Sequence, residues 1–232
     1  MSNRIIAVTG AFGILGRATV QHLLSQGHCV ALLDVSEPRG DLGLTADQSD
    51  YLVVGGVDLT DGAATRAAID KVVSHFGGLD GLVNIAGGFV WTSLEDSDAD
   101  TWQQMFDMNV KTAMNTCHAA VGALKKSSAG RIVNIGAAGA VKADMGMGPY
   151  AASKAGVMRL TESLAQELKG DDVCVNAVLP SIIDTPRNRE DMPDADFTAW
   201  VKPEALADVI AFLLSDAGHP ITGALIPVIG RV

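Results

Sequence analysis

Short apolar runs alternate with segments of helical periodicity along nearly the whole chain of 232 residues. The runs are mostly apolar throughout, as expected of strands buried on both faces of a sheet, and they lie at 5–8, 30–33, 51–54, 82–85, 132–135, 173–179 and 225–229. Between them, apolar residues recur about every four positions, which is the pattern of an amphipathic helix. This order predicts an α/β fold with a seven-stranded parallel sheet and helices on both of its faces. The length suits a single domain over residues 1–232.

The charge balance is acidic, with 17 basic and 27 acidic residues and a net charge of −10. A chain of this charge without a cluster of Lys or Arg repels a phosphate backbone, so we expect no nucleic-acid partner. No apolar stretch approaches the roughly 18 residues of a membrane span, so we expect no membrane partner. The apolar residues, 48% of the chain, therefore belong to a large buried core.

The cysteines and histidines are not spaced as disulfide pairs or metal ligands. Cys29, Cys117 and Cys174 are far apart and form no CxxC pair, and the five histidines lack ligand spacing. The first residues are polar and lead directly into an apolar run, without the pattern of a signal peptide. We therefore expect a cytoplasmic protein without a metal.

The first apolar run leads into the glycine turn, TGAFGILG at residues 9–16, and a helical segment follows at once. Glycine permits a tight turn and lets backbone N–H groups approach a pyrophosphate, whose charge a helix N-terminus favours. Such a turn can be merely structural, but its place between the first strand and the first helix is that of a dinucleotide site. The candidate cofactor contacts here are Gly10, Phe12, Gly13, Ile14, Leu15 and Gly16.

Two acidic residues follow the next apolar runs. Asp34 ends the second run, about 20 residues beyond the glycines, where a carboxylate binds the adenosine ribose and repels a 2′-phosphate. Unless Asp34 only ends a strand, this position favours NAD(H) over NADP(H). Asp58, which precedes Leu59, either binds the adenine amino group or caps a helix.

Tyr150 and Lys154 are four residues apart at the start of a helical segment, which places the phenol and the ammonium on one face. A free tyrosine has a pKa of about 10, too high for proton exchange near neutrality. We expect the lysine charge and an oxidised nicotinamide ring to lower the pKa of Tyr150. The pair predicts general acid–base catalysis of hydride transfer, in which Tyr150 exchanges the proton.

Together these features resemble the short-chain dehydrogenase/reductase family over essentially the whole chain. The sequence NIAG at 84–87 is similar to the family's NNAG motif and adds Asn84, Ala86 and Gly87 to the candidate cofactor contacts. Asn84 alternatively braces the backbone of a tight turn. Asn109 matches the family's active-site asparagine, which holds a proton-relay water near the lysine.

The sequence PSIIDT at 180–185 resembles the family's PGxxxT segment. The resemblance implies cofactor contacts for Pro180, Ile183 and Thr185, and a substrate lid over residues 181–200, which we call the lid segment. It also implies a three-layer Rossmann fold, a nicotinamide cofactor that Tyr150 and Lys154 contact, and a small-molecule substrate. Members commonly form a homodimer or homotetramer built on two long helices.

The chain departs from the family pattern at two informative positions. Ile14 occupies a place where the compact branch of the family has glycine, so the spacing is GxxGxxG. Ala137 lies thirteen residues before Tyr150, where the family has a serine that positions the substrate carbonyl. The missing hydroxyl costs about 1–3 kcal/mol where a charged transition state needs it. Ser153, which follows the tyrosine, is not that residue.

Quinonoid dihydropteridine reductases also have YxxxK without the serine, and this chain resembles them over residues 179–200 in particular. A quinonoid compound accepts hydride readily and can dispense with the hydroxyl, although Asn109 is typical of the broader family. We therefore expect an NAD(P)H-dependent oxidoreductase that acts on a carbonyl or quinonoid small molecule. The alternatives are a 3-oxoacyl thioester or ketone reductase and a non-catalytic NAD(H)-binding sensor.

Overall fold

A sheet of seven parallel strands forms the centre of the structure, a computed structural model that describes residues 3–38, 40, 42–44 and 46–232. The strands are β1 (Ile5–Thr9), β2 (Cys29–Leu33), β3 (Tyr51–Val54), β4 (Gly81–Asn84), β5 (Arg131–Ile135), β6 (Cys174–Pro180) and β7 (Leu225–Val228). Their order across the sheet is β3-β2-β1-β4-β5-β6-β7. The predicted seven-stranded parallel sheet is confirmed, and each strand lies close to its predicted position.

Helices connect the strands and cover the sheet. They are α1 (Ile14–Ser25), α2 (Gly62–Phe76), α3 (Ala99–Phe106), α4 (Thr112–Leu124), α5 (Gly148–Glu167), α6 (Pro186–Asp191) and α7 (Pro203–Leu214). A π-helical turn, Asp107–Lys111, joins α3 to α4. Local signals start several of them: the Asp61 side chain accepts the first N–H groups of α2, and α5 and α7 have proline in the first turn.

Two apolar layers form on opposite faces of the sheet because successive side chains of a strand point in opposite directions. Ile6 of β1 belongs to a buried cluster with residues of α1 and α7. The next residue, Ala7, belongs to a separate cluster with residues of α2, α4 and α5. The result is the three-layer Rossmann fold that the sequence predicted.

The strand order reverses at β1, and this reversal determines where a ligand can bind. Because β1 pairs with both β2 and β4, Thr9 lies beside Leu33 on one side and Asn84 on the other. The carboxyl ends of the three strands therefore meet at one edge. This edge brings together the glycine turn, Asp34 and the segment after β4, at the switch point where open α/β sheets bind ligands.

The two long segments that the sequence marked as irregular differ in structure. Between β2 and β3, the described residues form no helix or strand. The lid segment, in contrast, contains α6 and a short turn of 3-10 helix, Phe197–Ala199. Pro186 accounts for part of this difference, since proline fits the first turn of a helix. In the described part of the chain, no helix has the length and apolar character needed to cross a membrane.

Candidate active site

A pocket of about 850 Å³ opens at the carboxyl edge of β1, β2 and β4. Most of the predicted cofactor contacts lie in its wall: Gly10, Phe12, Gly13, Ile14, Leu15, Gly16, Asp34, Asp58, Leu59, Ala86, Gly87 and Thr185. A cavity of this size is within the range of small-molecule and cofactor sites. The pocket wall therefore brings together motifs that lie up to 175 residues apart in the chain, the separation of Gly10 and Thr185.

The glycine turn is packed so tightly that a side chain at one of its positions would collide with the backbone. A Cβ atom at Gly16 would lie 2.1 Å from the Gly10 carbonyl oxygen and 2.8 Å from the Ala11 Cα. Gly13 lies just before α1, with its backbone extended, so the N-terminus of the helix opens on the pocket. This arrangement fits a pyrophosphate, which needs close backbone approach and unpaired N–H groups.

Asp34 is buried just after β2 in the pocket wall, and its carboxylate links the glycine turn to the segment that follows β2. One carboxylate oxygen accepts the Phe12 N–H at 2.9 Å, and the other accepts the Ser36 N–H at 2.9 Å. Each oxygen retains a further lone pair for a hydroxyl group. A ribose diol can therefore bind where a phosphate would meet a fixed negative charge.

Asp58 lies in the pocket wall but does not cap a helix. The carboxylate that caps α2 is that of Asp61. Asp58 instead accepts the backbone N–H and the hydroxyl of Thr60, and these hydrogen bonds hold the pKa of Asp58 below its ordinary value. The expected helix cap is therefore wrong for Asp58, and the contact with the adenine remains a prediction.

Asn84 lies at the end of β4, but its side chain points into the protein rather than into the pocket wall. Its amide donates to the Asn134 side chain at 2.9 Å and accepts the Thr116 hydroxyl at 2.6 Å. Asn134 donates in turn to the Thr161 hydroxyl. This buried side-chain network links α4, β4, β5 and α5, so the Asn84 amide serves neither as a wall residue of the pocket nor as the brace of a turn backbone that the sequence offered as the alternative.

Tyr150 is in the first turn of α5, with its ring packed edge-to-face against Phe89 at 4.8 Å between centroids. The hydroxyl makes no hydrogen bond with any described residue. Burial raises the pKa of Tyr150 to about 12, because the phenolate would lose its hydration. In the protein by itself, this direction is opposite to the lowering expected from the sequence, and the phenol is protonated at neutral pH.

Lys154 lies one turn further along α5 and is buried. Its ammonium donates to the Ile135 carbonyl at the end of β5, at 2.8 Å. Burial lowers the pKa of Lys154 to about 8, since the charged form is desolvated. Gly87 makes room for this group: a Cβ there would lie 3.4 Å from Lys154 Nζ and 2.5 Å from Asn109 Oδ1.

Asn109 is in the π-helical turn, and its side chain is fully used within the protein. Its amide oxygen accepts the Gly88 N–H, while its NH₂ group donates to the Gly88 carbonyl and to the Ser153 hydroxyl. The Ser153 hydroxyl donates to the Tyr150 carbonyl. The asparagine thus connects the segment after β4 to the start of the helix that carries Tyr150 and Lys154.

Ala137 is buried two residues beyond Ile135, whose carbonyl binds Lys154. The hydroxyl of Ser153 does not substitute for the missing serine, since both Asn109 and the Tyr150 carbonyl already engage it. This end of the site therefore has a buried methyl group where a hydroxyl was expected from the family pattern.

Of the three cofactor contacts that the resemblance to the PGxxxT segment implies, one lies in the pocket wall and two do not. Thr185 lines the pocket, and its hydroxyl accepts the Asn188 N–H at the start of α6. Pro180 ends β6, and Ile183 pairs with Val201, so neither is in the pocket wall. Tyr150, Lys154 and Asn109 also lie outside the wall.

Sequence reasoning missed several wall residues, namely Val35, Ser36, Val57, Thr60, Ile85, Met108, Thr112, Pro186 and Arg187. Those adjacent to a predicted contact, such as Val35 beside Asp34, followed from chain continuity alone. Pro186 and Arg187 belong to the predicted lid segment, but the sequence did not identify them as residues of the pocket wall. No group of His, Cys, Asp and Glu in the described ranges could hold a metal ion.

The fold and the pocket define a dinucleotide-binding oxidoreductase of the Rossmann type. The family model for short chain dehydrogenases matches residues 4–196, so the chain belongs to the short-chain dehydrogenase/reductase family, as the sequence predicted. It is an NAD(P)-dependent oxidoreductase, which sets aside the alternative of a non-catalytic sensor.

Known relatives resemble the chain over nearly its full length. The 3-oxoacyl-[acyl-carrier-protein] reductase FabG of Thermotoga maritima is 31% identical over 244 aligned positions, covering 99% of this chain and 98% of the relative. An acetoacetyl-CoA reductase of an Acinetobacter species is 30% identical over 240 positions, covering 98% and 96%. The solved structure of a Brucella melitensis 3-ketoacyl-(acyl-carrier-protein) reductase, complexed with NADH, superposes with a TM-score of 0.85 at 25% identity, covering 98% and 97%.

Proposed function

We propose that the protein is an NADH-dependent reductase of conjugated or quinonoid small molecules. The observation that carries this proposal is the composition of the site around Tyr150: a protonated phenol without a hydrogen-bond partner among the described residues, a buried Lys154 one turn further along α5, and Ala137 in place of a second hydroxyl. Such a site can deliver one proton but has no additional donor to polarise an ordinary ketone.

The protein residues have separate tasks in the reduction. A bound nicotinamide supplies the hydride. Tyr150 donates its proton to the substrate oxygen or nitrogen as negative charge develops there, and such a general acid contributes about 10²–10⁴-fold to the rate. Lys154 lies one turn further along the same helix and is shielded from water, and its charge would stabilise the phenolate that remains. Asn109 and Ser153 fix the geometry of this end of α5.

The walls beside Tyr150 favour a flat, apolar substrate. Phe89 contacts the Tyr150 ring and is half exposed, and Trp91 is also exposed, with its indole N–H bonded to the Met145 carbonyl. Aromatic faces of this kind bind planar rings by stacking. A quinonoid ring becomes more stable on accepting hydride, so it does not depend on the hydroxyl absent at Ala137. The resemblance of residues 179–200 to quinonoid dihydropteridine reductases points to a pterin-like ring.

A 3-oxoacyl thioester is the second candidate substrate. The names of two relatives, the reductases of Thermotoga maritima and Acinetobacter, support it. Ala137 argues against it, because a simple ketone gains about 1–3 kcal/mol from a donor at that position.

Asp34 supports NADH as the preferred reductant. Its carboxylate lines the pocket and is fixed by the N–H groups of Phe12 and Ser36, so it cannot swing away from a 2′-phosphate. A ribose diol, in contrast, donates two hydrogen bonds to it.

The test is oxidation of NADH and of NADPH, followed by absorbance, with three substrates in parallel: quinonoid dihydropterin, acetoacetyl-CoA and a simple diketone. We expect turnover with the quinonoid compound and NADH, and a kcat/KM at least tenfold lower with acetoacetyl-CoA. A higher kcat/KM for acetoacetyl-CoA would replace the proposal with the thioester reductase. NADH binding without turnover of any of the three would contradict both.

A further inference from the structure

The pocket wall has three charged side chains among the described residues, two acidic and one basic. Among the described lining residues, Asp34 and Asp58 are the acidic ones and Arg187 is the basic one. Both acids follow strands β2 and β3, whereas Arg187 belongs to α6 and lines the same pocket as the glycine turn. A dinucleotide carries its negative charge on the pyrophosphate between its two halves. A guanidinium in the wall of such a pocket suits this group.

The Arg187 guanidinium has N–H donors that bind no other described residue. Its Nε donates to the Asp191 carboxylate at 2.9 Å, and within the described residues its two terminal nitrogens have no hydrogen-bond partner. The side chain is 79% exposed. A guanidinium has five N–H donors in a planar fork, and that fork suits phosphate oxygens. Asp191 holds one edge of the fork and leaves the other free.

Hydrogen bonds with the residues just before it fix the backbone of α6, which carries Arg187. The Thr185 hydroxyl caps α6, and the Asn188 side chain donates to the Ile183 carbonyl at 2.7 Å. Arg189 makes two hydrogen bonds with the Asp184 carboxylate, at 2.6 and 2.8 Å. The two arginines of α6 therefore differ: Arg189 is paired through two of its three nitrogens, and Arg187 through one.

We propose that Arg187 binds the pyrophosphate oxygens of the bound dinucleotide through the terminal nitrogens of its guanidinium, which Asp191 leaves free. The inference rests on the dinucleotide binding of the family and adds a contact from the lid segment to the helix N-terminus below it.

The experiment measures binding, not turnover. NADH is titrated by its fluorescence, and ADP-ribose and adenosine are tested as competitors, for the wild type, Arg187→Gln and Arg159→Gln. Arg159 is the matched control, since it is an exposed arginine paired with Glu162 at 2.9 Å on α5. We expect Arg187→Gln to weaken NADH and ADP-ribose about tenfold, with adenosine unchanged, because only the first two carry the pyrophosphate. Arg159→Gln changes none of the three.

Two results would overturn the assignment: equal ADP-ribose affinity in the wild type and Arg187→Gln, or an equal loss for adenosine. A second variant, Asp191→Asn, frees the guanidinium and should keep the affinity for ADP-ribose within about threefold. If it loses as much as Arg187→Gln, the ion pair serves the fold of α6 and the proposal is wrong. Failure of the wild type to bind either NADH or NADPH would instead remove the dinucleotide site itself.

Discussion

The cofactor end and the catalytic end of the site are built in different ways. At the cofactor end, the key contacts join residues close to each other at one edge of the sheet, such as Asp34 with the N–H groups of Phe12 and Ser36. At the catalytic end, Lys154 depends on a carbonyl of β5, and Asn109 connects Gly88 to Ser153. At the cofactor end, a strand-end carboxylate holds backbone N–H groups, whereas at the catalytic end side chains of α5 and of the π-helical turn hold backbone groups that follow β4 and end β5.

This difference separates binding from chemistry. The hydrogen bonds of Asp34 at the cofactor end have no residue in common with those of Asn109 and Lys154 at the catalytic end. The cofactor end can therefore be complete while the catalytic end is inactive. A substitution at one end should therefore leave the function of the other end intact, so that cofactor binding and turnover can be measured separately.

Replacing the phenol should have the largest effect. Tyr150→Phe removes the only proton donor that we assign to the substrate and keeps the ring packed on Phe89. We expect kcat to fall about 10²–10⁴-fold, with the NADH dissociation constant within about threefold of the wild type. Steady-state kinetics and fluorescence titration of one preparation separate the two. A variant that retains a tenth of the activity would show that Tyr150 is not the acid.

The stability of the cofactor-free protein should depend on pH through Lys154. The pKa of this buried lysine is lowered from 10.5 to about 8, so the unfolded chain binds more protons between these values and stability rises with pH across them. From pH 8 to pH 10, we expect the wild type to gain about 2 kcal/mol relative to Lys154→Met. Tyr150 acts in the opposite direction, but only above its ordinary pKa of 10, since burial raises that pKa to about 12.

Urea denaturation of both proteins at pH 7, 8, 9 and 10 measures this difference. Below pH 8 the wild-type curve should run parallel to that of Lys154→Met, because the lysine is then protonated in both states. A constant difference across the whole range would mean that the ammonium is hydrated and not desolvated as the geometry indicates.

The same contrast explains how much could be predicted from the sequence. The strands and the glycine turn were predictable, since apolar runs and glycine spacing are local patterns that fix the edge where β1, β2 and β4 end. Asn84 was not, because its motif does not reveal that Asn134 and Thr116 would occupy its amide. The raised pKa of Tyr150 was missed for a similar reason: desolvation depends on Phe89 and on packing that no spacing encodes.

Cofactor preference should shift by a moderate amount when Asp34 loses its charge. Asp34→Asn keeps an acceptor for the Phe12 N–H but weakens the ribose hydrogen bonds and removes the repulsion of a 2′-phosphate. We expect NADH affinity to fall about tenfold and NADPH affinity to rise. Asp58→Asn, which alters the other acidic wall residue, should leave the ratio of the two affinities unchanged. An unchanged ratio in Asp34→Asn would refute the role assigned to this carboxylate.

The smallest effect is expected where the catalytic end departs from its family. Ala137→Ser restores the hydroxyl at a buried position near the Lys154–Ile135 contact. A quinonoid acceptor needs no further donor, so its kcat/KM should stay within about threefold, while reduction of simple ketones should increase by up to about tenfold. Ala138→Ser, one residue further along, serves as the control for adding a hydroxyl to the same loop. A gain with the quinonoid substrate as large as that with ketones would mean that the site lacks a donor it needs, and that Ala137 is not an adaptation to a reactive acceptor.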